Sequence, residues 1–277
     1  MRAGWVTGRH GDTDRGRHGE GDNATRRQGD TETARPGDTE TRSYRPWSVV
    51  RRPWSIVHHQ SEAHVNTGFD NLWAILPLRS LRDGKRRLRG ILSPADRATL
   101  VQRLFERAYR AALESNCCQG IIVVSPDPDV LAWIDRFQVV PAQQLDTGLN
   151  QGLERARRVA LAAGATSVLV VLPDLPAITS ESIRALTRRG GVGRVVIAAD
   201  RHGRGTNALL LNPADALPFA FGDDSRRQHV DLAIARGLIP DVAQIAGMIL
   251  DVDTAEDLQL AGALLDQHGC AGAHAGG

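Results

Sequence analysis

Two polar segments in the second half of the chain carry the residue types of an anion-binding site. The first, Asp200–Leu211, follows an apolar strand and has glycines at alternate positions before Thr206. Such glycines allow backbone N–H groups, together with the Thr206 hydroxyl, to stand free and face an anion. The second segment, Phe221–His229, has Gly222 and Ser225 just before a predicted helix. Amides and the dipole at a helix N-terminus favour a phosphate or a carboxylate.

Each segment also has a purely structural interpretation. Glycines between two apolar strands commonly form a hairpin turn, and Ser225 with Gln228 fits a capping box. For either segment alone both interpretations stay open. The presence of both segments in one chain strengthens the hypothesis of an anion site.

Carboxylates follow two other apolar stretches. Asp174 comes soon after the most hydrophobic predicted strand, Ser167–Leu172, which we expect at the centre of the sheet. A carboxylate at that position can hold Mg²⁺ against a nucleoside triphosphate. Asp253 lies in a second acidic segment, Asp251–Asp257, where Asp253 with Glu256 also fits a helix-capping arrangement.

Lys85 is the only lysine of the chain and lies in an arginine-rich loop. A compact ammonium differs from the planar guanidinium of arginine, so a single lysine here fits a specific role. It fits equally well a chance survivor on a solvated loop, because charge runs are usually solvated surface. These residues together suit one chemistry. Asp174 and Asp253 would hold a metal and Lys85 would neutralise a triphosphate, while an incoming phosphate attacks the α-phosphorus in line.

Short apolar strands alternate with helical patterns from Leu72 onward. This alternation predicts an α/β, doubly wound fold with a mostly parallel sheet and helices on both faces. In such sheets ligands bind beyond the carboxyl ends of the strands, where the polar residues above are found. The predicted strands are Leu72–Leu78, Gly120–Ser125, Gln138–Pro141, Ser167–Leu172, Arg194–Ala199 and Thr206–Leu211. The predicted helices are Pro94–Asn116, Asp129–Arg136, Leu149–Gly164, Ser180–Arg189, Ser225–Gly237 and Ala255–Asp266.

Composition narrows the class of protein. The 34 basic and 32 acidic residues give a net charge of +2, which argues against a nucleic-acid partner. No long apolar run or signal pattern is present, so we expect a cytoplasmic protein that does not insert into a membrane. Composition does not indicate the oligomeric state.

The 277 residues divide by composition into three parts. Residues 1–70 lack apolar periodicity and repeat the phrase Gly-Asp-Thr-Glu-Thr, which predicts a disordered extension. Translation from an internal valine codon, such as that of Val57 or Val65, is an open alternative for this part. Residues 71–267 are predicted to form one domain, which the resemblance described next implies to be a nucleotidyltransferase domain, and residues 268–277 a flexible tail.

From about Leu72 to Leu264 the chain resembles the 2-phospholactate / phosphoenolpyruvate guanylyltransferase family of deazaflavin coenzyme F-420 biosynthesis. The resemblance implies a nucleotidyltransferase fold of the nucleotide-diphospho-sugar transferase type. It also implies transfer of GMP from GTP to phosphoenolpyruvate or 2-phospho-L-lactate, with Mg²⁺ as cofactor and release of pyrophosphate. The matching elements are Pro77, Lys85 to Leu88, Leu149 to Gln151, Asp174 to Pro176, Asp200 to Leu211, Phe221 to Ser225 with His229, and Asp251 to Thr254.

The resemblance also implies roles for individual residues. The catalytic residues would be Lys85, Asp174 and Asp253, and the same two aspartates would hold the metal. The acceptor, a small phosphorylated three-carbon acid, would bind to Thr206, Gly222 and Ser225. GTP would contact Lys85, Arg87 and Asn150. The family often has lysine where this chain has Arg79, which would reshape one triphosphate contact.

Two other functions compete with this hypothesis. One is a nucleotidyltransferase of the same fold that uses a sugar phosphate, and the other is a catalytically silent nucleotide-binding regulatory protein. The glycine-rich acceptor segments argue against the first, and the presence of Lys85, Asp174 and Asp253 together argues against the second. Among acceptors, the Arg- and Ala-rich composition suggests a bacterial source with high GC content and favours phosphoenolpyruvate.

Overall fold

A computed structural model of the protein describes residues 69–266. The predicted C-terminal tail and nearly all of the predicted disordered extension lie outside the described residues. Seven strands form one sheet in the order β3-β2-β1-β4-β6-β5-β7. The strands are β1 (Leu72–Pro77), β2 (Gly120–Ser125), β3 (Val140–Gln143), β4 (Ser167–Val171), β5 (Arg194–Ala199), β6 (Thr206–Asn212) and β7 (Ile239–Ala243).

The sheet is parallel except at β6, which runs antiparallel to both β4 and β5. The helices are α1 (Pro94–Glu114), α2 (Pro128–Trp133), α3 (Leu149–Ala162), α4 (Ser180–Thr187), α5 (Ser225–Ala235) and α6 (Ala255–Asp266). Two short 3-10 helices cover Arg86–Leu88 and Ile134–Arg136. The doubly wound, mostly parallel α/β fold is therefore confirmed.

Helices cover both faces of the sheet, as β1 illustrates. Leu72, Ala74 and Leu76 join an apolar cluster that contains side chains of α1, α2 and α4. Trp73 and Ile75 point the other way, into a cluster that contains side chains of α3 and α5. Alternate residues of a strand face opposite sides of a sheet, so a strand buried on both sides must be apolar throughout.

The observed elements differ from the predicted ones mainly at the sheet edges. β3 begins later than predicted because the Gln138 amide donates to the Tyr109 hydroxyl (3.1 Å) instead of joining the ladder. β7 was not predicted, because Pro240 and Asp241 interrupt its apolar run; proline is tolerated on an edge strand such as this one. Within residues 69–266, no helix is both long and apolar enough to cross a membrane.

Candidate active site

Lys85 occupies a backbone conformation that side-chain-bearing residues rarely adopt. Its φ of 52° and ψ of 46° lie in the left-handed region, which costs an L-residue about 1–2 kcal/mol. The short helix that follows ends in Leu88, which is fully buried in a cluster with Leu104 and Val252. Packing of Leu88 thus holds the loop in place and offsets the strain, as is common at functional sites.

The Lys85 ammonium lies between two carboxylates. Nζ is 2.8 Å from Asp174 Oδ2 and 3.0 Å from Asp253 Oδ1, and only 10% of the side chain is exposed. Burial alone would lower the pKa of Lys85, but the charges and hydrogen bonds of Asp174 and Asp253 outweigh it and raise that pKa above its usual value. Lys85 is therefore a permanent cation at the centre of the site.

A third carboxylate, that of Asp251, completes an acidic cluster with Asp174 and Asp253. One oxygen of each lies within 4.8 Å of the others. The Val252 amide donates to the Asp174 carbonyl (3.1 Å), which fixes the C-terminal segment beside β4. Val252 is buried, so the residues on either side of it in this extended segment, Asp251 and Asp253, can both face Asp174. Burial, followed by the charges of Asp174 and Asp253, raises the pKa of Asp251 to about 6.

The acidic cluster fits a divalent cation. Asp174 Oδ1 is buried and has no hydrogen-bond partner within the part of the chain that the structure describes. A buried carboxylate oxygen without a partner is costly, and a metal ion would supply one. Three carboxylates also form the all-oxygen donor set that hard cations such as Mg²⁺ prefer.

The alternative in which Asp253 caps a helix with Glu256 is wrong. Asp257 is the capping acid: its Oδ2 accepts the amides of Asp253 (3.0 Å) and Thr254 (2.7 Å) and the Thr254 hydroxyl (2.8 Å). Arg201 pairs with the other oxygen of Asp257 at 2.9 Å. Because Asp257 satisfies the start of α6, the Asp253 carboxylate is left for Lys85.

Arg87 lies beside the acidic cluster on the solvent side, in a loop with several other arginines. Arg87 Nη1 is 3.9 Å from Asp253 Oδ2, and 76% of the Arg87 side chain is exposed. Arg79, Arg82 and Arg86 are exposed as well. Exposed pairs at such distances contribute little to stability, so these guanidiniums remain available for an anionic ligand.

Thr206 lies at the same end of the strands as Asp174. Since β6 is antiparallel to β4, its first residues come next to the carboxyl end of β4, where the Leu172 amide donates to the Asn207 carbonyl (3.0 Å). The Thr206 side chain is buried, and its Oγ1 is 3.1 Å from His229 Nδ1. The expectation that this hydroxyl stands free of protein partners is wrong.

The loop before Thr206 and the start of α5 are joined. The Arg226 amide donates to the Arg204 carbonyl (2.9 Å), and the Arg204 amide donates to Asp200 Oδ1 (2.8 Å). Two of the amides expected to face an anion therefore have protein partners. Ser225 is the first residue of α5 and is buried.

The predicted capping box at Ser225 is absent from α5. Asp224, in the left-handed conformation (φ 52°), precedes the helix without a side-chain cap, and Gln228 Nε2 donates to the Asp223 carbonyl (2.7 Å). Gly222 also has a positive φ, 132°, and a Cβ there would meet no atom within 4 Å. Its backbone can approach a ligand closely, which a larger residue would obstruct.

Asn150 fixes the turn before Gly222. Its Oδ1 accepts the Phe221 amide (2.8 Å) and its Nδ2 donates to the Phe221 carbonyl (3.0 Å). Both polar groups of the side chain are thereby engaged with the backbone next to Gly222. The structure thus brings Asn150 to the Gly222 turn, and Lys85 with Arg87 to the acidic cluster.

Comparison with known proteins identifies the family of this chain. Residues 72–269 match the family model described as guanylyl transferase CofC like. The chain belongs to this family. The resemblance inferred from the sequence motifs is confirmed, and with it the nature of the protein as a nucleotidyltransferase.

Two relatives illustrate the similarity. The phosphoenolpyruvate guanylyltransferase of Sphaerobacter thermophilus is 40% identical over 186 residues, which are 67% of this chain and 90% of that protein. The 2-phospho-L-lactate guanylyltransferase of Methanothermobacter thermautotrophicus is 32% identical over 186 residues, 67% of this chain and 81% of that protein.

Solved structures show the same fold. A nucleotidyl transferase from Methanothermobacter thermautotrophicus superposes with a TM-score of 0.51 at 18% identity, over 72% of this chain and 99% of that one. A Desulfovibrio desulfuricans protein described as a nucleotide-diphospho-sugar transferase gives a TM-score of 0.55 at 14% identity, over 71% and 97%. The predicted nucleotidyltransferase fold is confirmed.

Two residues of the site belong to the matching sequence elements but were given no role from the sequence. Asp251 lies two positions before Asp253, and that spacing in an extended segment is the signal that both carboxylates face one side. His229 lies four positions after Ser225, one helical turn away on the same face of α5. The structure shows Asp251 in the acidic cluster and His229 in contact with Thr206.

Proposed function

We propose that this protein transfers GMP from GTP to phosphoenolpyruvate and releases pyrophosphate. The observation that carries the proposal is the placement of Lys85 between Asp174 and Asp253, with Asp251 beside them, in a chain of the guanylyltransferase family. Phosphoenolpyruvate is favoured over 2-phospho-L-lactate because the Sphaerobacter relative is 40% identical and the Methanothermobacter relative 32%. We also propose that the reaction takes place in the cytoplasm, as is consistent with a biosynthetic enzyme of this family.

In the proposed reaction, an oxygen of the acceptor phosphate attacks the α-phosphorus of GTP. A new P–O bond forms, the bond from the α-phosphorus to the oxygen that bridges to the β-phosphorus breaks, and pyrophosphate leaves with that electron pair. Nucleotidyl transfer of this kind depends on positioning and on charge neutralisation, and needs no covalent enzyme intermediate. The residues of the site suit these two tasks.

Lys85 and Arg87 act on the triphosphate in this proposal. Lys85 keeps its proton, since Asp174 and Asp253 raise its pKa against the effect of burial, and it can neutralise charge that develops on the leaving pyrophosphate. Arg87 is largely exposed beside Asp253 and can reach phosphate oxygens from the solvent side. Asn150 orients the nucleotide indirectly, through the turn at Phe221.

Thr206, Gly222 and Ser225 hold the acceptor acid in this proposal. Thr206 begins β6 at the edge where β4 ends, while Gly222 and Ser225 lead into α5 beside it. Two hydroxyls and the backbone at a helix N-terminus suit a three-carbon acid with a phosphate and a carboxylate. A sugar phosphate would need more space and more polar partners.

Asp174, Asp251 and Asp253 would hold the metal ion, for which we propose Mg²⁺. When bound, Mg²⁺ would neutralise phosphate oxygens and favour cleavage of the α–β bond. The unpartnered, buried Asp174 Oδ1 supports this assignment. Lys85 limits the mutual repulsion of the carboxylates and so helps to keep them together.

Pyrophosphate release with GTP and Mg²⁺ tests the proposal. Phosphoenolpyruvate, 2-phospho-L-lactate and 3-phosphoglycerate would each be offered to the full chain, with an Asp174→Asn variant as the inactive control. We expect release with phosphoenolpyruvate that exceeds release with either other acid. Equal or higher release with 2-phospho-L-lactate would overturn the choice of acceptor. If the folded protein releases no pyrophosphate with any of the three acids, the proposal of a guanylyltransferase activity is overturned.

A further inference from the structure

His229 joins the two segments to which the proposed function assigns the acceptor. It lies on α5, is fully buried, and has a polar partner on each ring nitrogen. Nδ1 is 3.1 Å from Thr206 Oγ1, and Nε2 accepts the Ala220 amide at 3.1 Å. The ring also packs edge-on against Phe221, with centroids 5.0 Å apart.

The Ala220 amide fixes the tautomer of the ring. A backbone N–H can only donate, so Nε2 must be the nitrogen without a proton. A neutral imidazole then carries its proton on Nδ1, which donates to Thr206 Oγ1. The ring stays neutral because burial lowers the pKa of His229 to about 4. The partners that contact the ring, Thr206, Ala220 and Phe221, carry no charge.

This hydrogen-bond direction determines what the Thr206 hydroxyl can do. The oxygen accepts from His229, so its own proton remains available for another acceptor. An anion is the acceptor that such a proton favours most, because hydrogen bonds to charged groups are about twice as strong as neutral ones. If Nδ1 lacked its proton, the hydroxyl would donate to the ring and would turn its lone pairs toward the anion.

We propose that His229 is a positioning residue that makes Thr206 an obligatory hydrogen-bond donor to an oxyanion of the acceptor acid. The inference rests on the proposed function for the identity of that acid. His229 acts through Thr206 and does not itself touch the substrate. Through Ala220 and Phe221 it also fixes the backbone that leads to Gly222, so both halves of the acceptor site share one buried ring.

Three variants separate the two bonds of His229. His229→Asn keeps an N–H near the Nδ1 position and loses the acceptor for Ala220. His229→Gln can keep an acceptor for the Ala220 amide and loses the donor to Thr206. Thr206→Val removes the hydroxyl and keeps the side-chain shape. Thermal melting of each full-length variant checks that it is folded.

Calorimetric titration with phosphoenolpyruvate, without GTP, measures acceptor binding apart from turnover. We expect His229→Gln and Thr206→Val each to raise the Kd for phosphoenolpyruvate by about tenfold or more, and His229→Asn to raise it less. The double variant His229→Gln/Thr206→Val should bind no more weakly than Thr206→Val alone, because both changes remove one interaction. The Kd for GTP should stay within about threefold in His229→Gln and Thr206→Val, which keep the contact of residue 229 with Ala220.

Additive effects in the double variant, or equal losses in His229→Asn and His229→Gln, would overturn the role of His229. Failure of the wild-type chain to bind phosphoenolpyruvate would overturn the assignment of the acceptor on which the inference rests. Binding that follows the expected order without any pyrophosphate release would support His229 while contradicting the proposed reaction. The outcomes therefore distinguish the two claims.

Nitrogen NMR of the wild-type chain with ¹⁵N-labelled histidine provides a readout that needs neither variants nor turnover. We expect the His229 signals, assigned by their loss in His229→Asn, to show a neutral ring with the proton on Nδ1 at neutral pH. A proton on Nε2, or a charged ring, would overturn the proposed direction of the hydrogen bond.

Discussion

Lys85 shows how one residue can determine the electrostatics of the whole site. It is the only cation within hydrogen-bond distance of Asp174 among the described residues, and its left-handed backbone directs a buried ammonium to two carboxylates. We expect that arginine cannot replace it, because the planar guanidinium is larger and spreads its charge over a fork instead of a point. The sequence signal, a single lysine among arginines, was therefore informative.

Removal of the Lys85 ammonium should abolish most turnover. We expect Lys85→Met and Lys85→Arg each to lower kcat by about 10²–10³-fold, the usual cost of losing one preorganised charge contact in a transition state. Steady-state pyrophosphate release checks this. Arg89→Met, at an exposed position of the same loop, should stay within about threefold of wild type. Full activity of Lys85→Arg would contradict the requirement for a compact ammonium.

Asp251 offers a second test at the scale of single residues. Asp251→Asn removes one of three carboxylates, so the Mg²⁺ concentration for half-maximal activity should rise by about tenfold or more. Titration of activity with Mg²⁺ measures this, with Asp135→Asn, an exposed aspartate on a 3-10 helix, as the matched control. An unchanged Mg²⁺ requirement would show that Asp251 is not a ligand.

The sequence predicted part of this cluster and left part open for a physical reason. Asp174 could be predicted because it follows a continuous apolar strand, which had to be central and to end at the ligand-binding edge. The acidic segment from Asp251 to Asp257 holds four acidic residues, and the sequence alone does not distinguish a metal ligand from a capping residue. Burial of Val252 distinguishes the two roles, because it turns Asp251 and Asp253 toward Asp174. Val252 is buried by Leu88 and Leu104, which are distant in the sequence.

Among the elements, the start of β6 and the start of α5 depend on each other. The Arg226–Arg204 backbone bond and the contact of His229 with Thr206 hold them together. The positions of both elements were predicted from periodicity, but these links join residues more than 20 positions apart. Strand β7 could not be predicted either, because Pro240 and Asp241 interrupt its apolar pattern. Such a strand is tolerated at the edge of a sheet, and its place in the sheet is not visible in the local sequence.

Gly222→Ala should weaken acceptor binding through the backbone alone. No atom lies within 4 Å of the added Cβ, but φ of 132° is unfavourable for alanine, so the turn should shift. We expect a rise of about tenfold in the KM for phosphoenolpyruvate and a smaller rise in the KM for GTP.

Gly193→Ala is the matched control for this substitution. Gly193 also has a positive φ, 75°, and open space around it. It precedes β5, however, and so lies at the opposite end of the strands from the site. It should lower the melting temperature without changing either KM. If the two substitutions change the KM for phosphoenolpyruvate equally, the turn at Gly222 does not contribute specifically to acceptor binding.

At the scale of the whole molecule, stability should depend on the buried ring of His229. The unfolded chain binds a proton at this histidine below its ordinary pKa of 6.5, whereas burial lowers the pKa in the folded protein to about 4. Stability from the neutral ring is therefore complete above pH 6.5 and is lost as the pH falls toward 4. The asparagine of His229→Asn does not titrate.

Melting temperatures between pH 7.5 and pH 4.5 measure this dependence. We expect the difference between wild type and His229→Asn to shrink as the pH falls, while other titrating groups affect both proteins alike. A difference that is constant or grows toward low pH would contradict a neutral, buried His229.

The most direct test of the central claim follows the oxygen atoms of the acceptor. Phosphoenolpyruvate labelled with ¹⁸O on its non-bridging phosphate oxygens would react with unlabelled GTP and Mg²⁺ on the full-length chain, and mass spectrometry would locate the label. Attack by the acceptor phosphate on the α-phosphorus requires all of the label in a guanylylated acid and none in the pyrophosphate. GDP in place of pyrophosphate, or free GMP with the label still in unreacted phosphoenolpyruvate, would contradict the proposed guanylyl transfer.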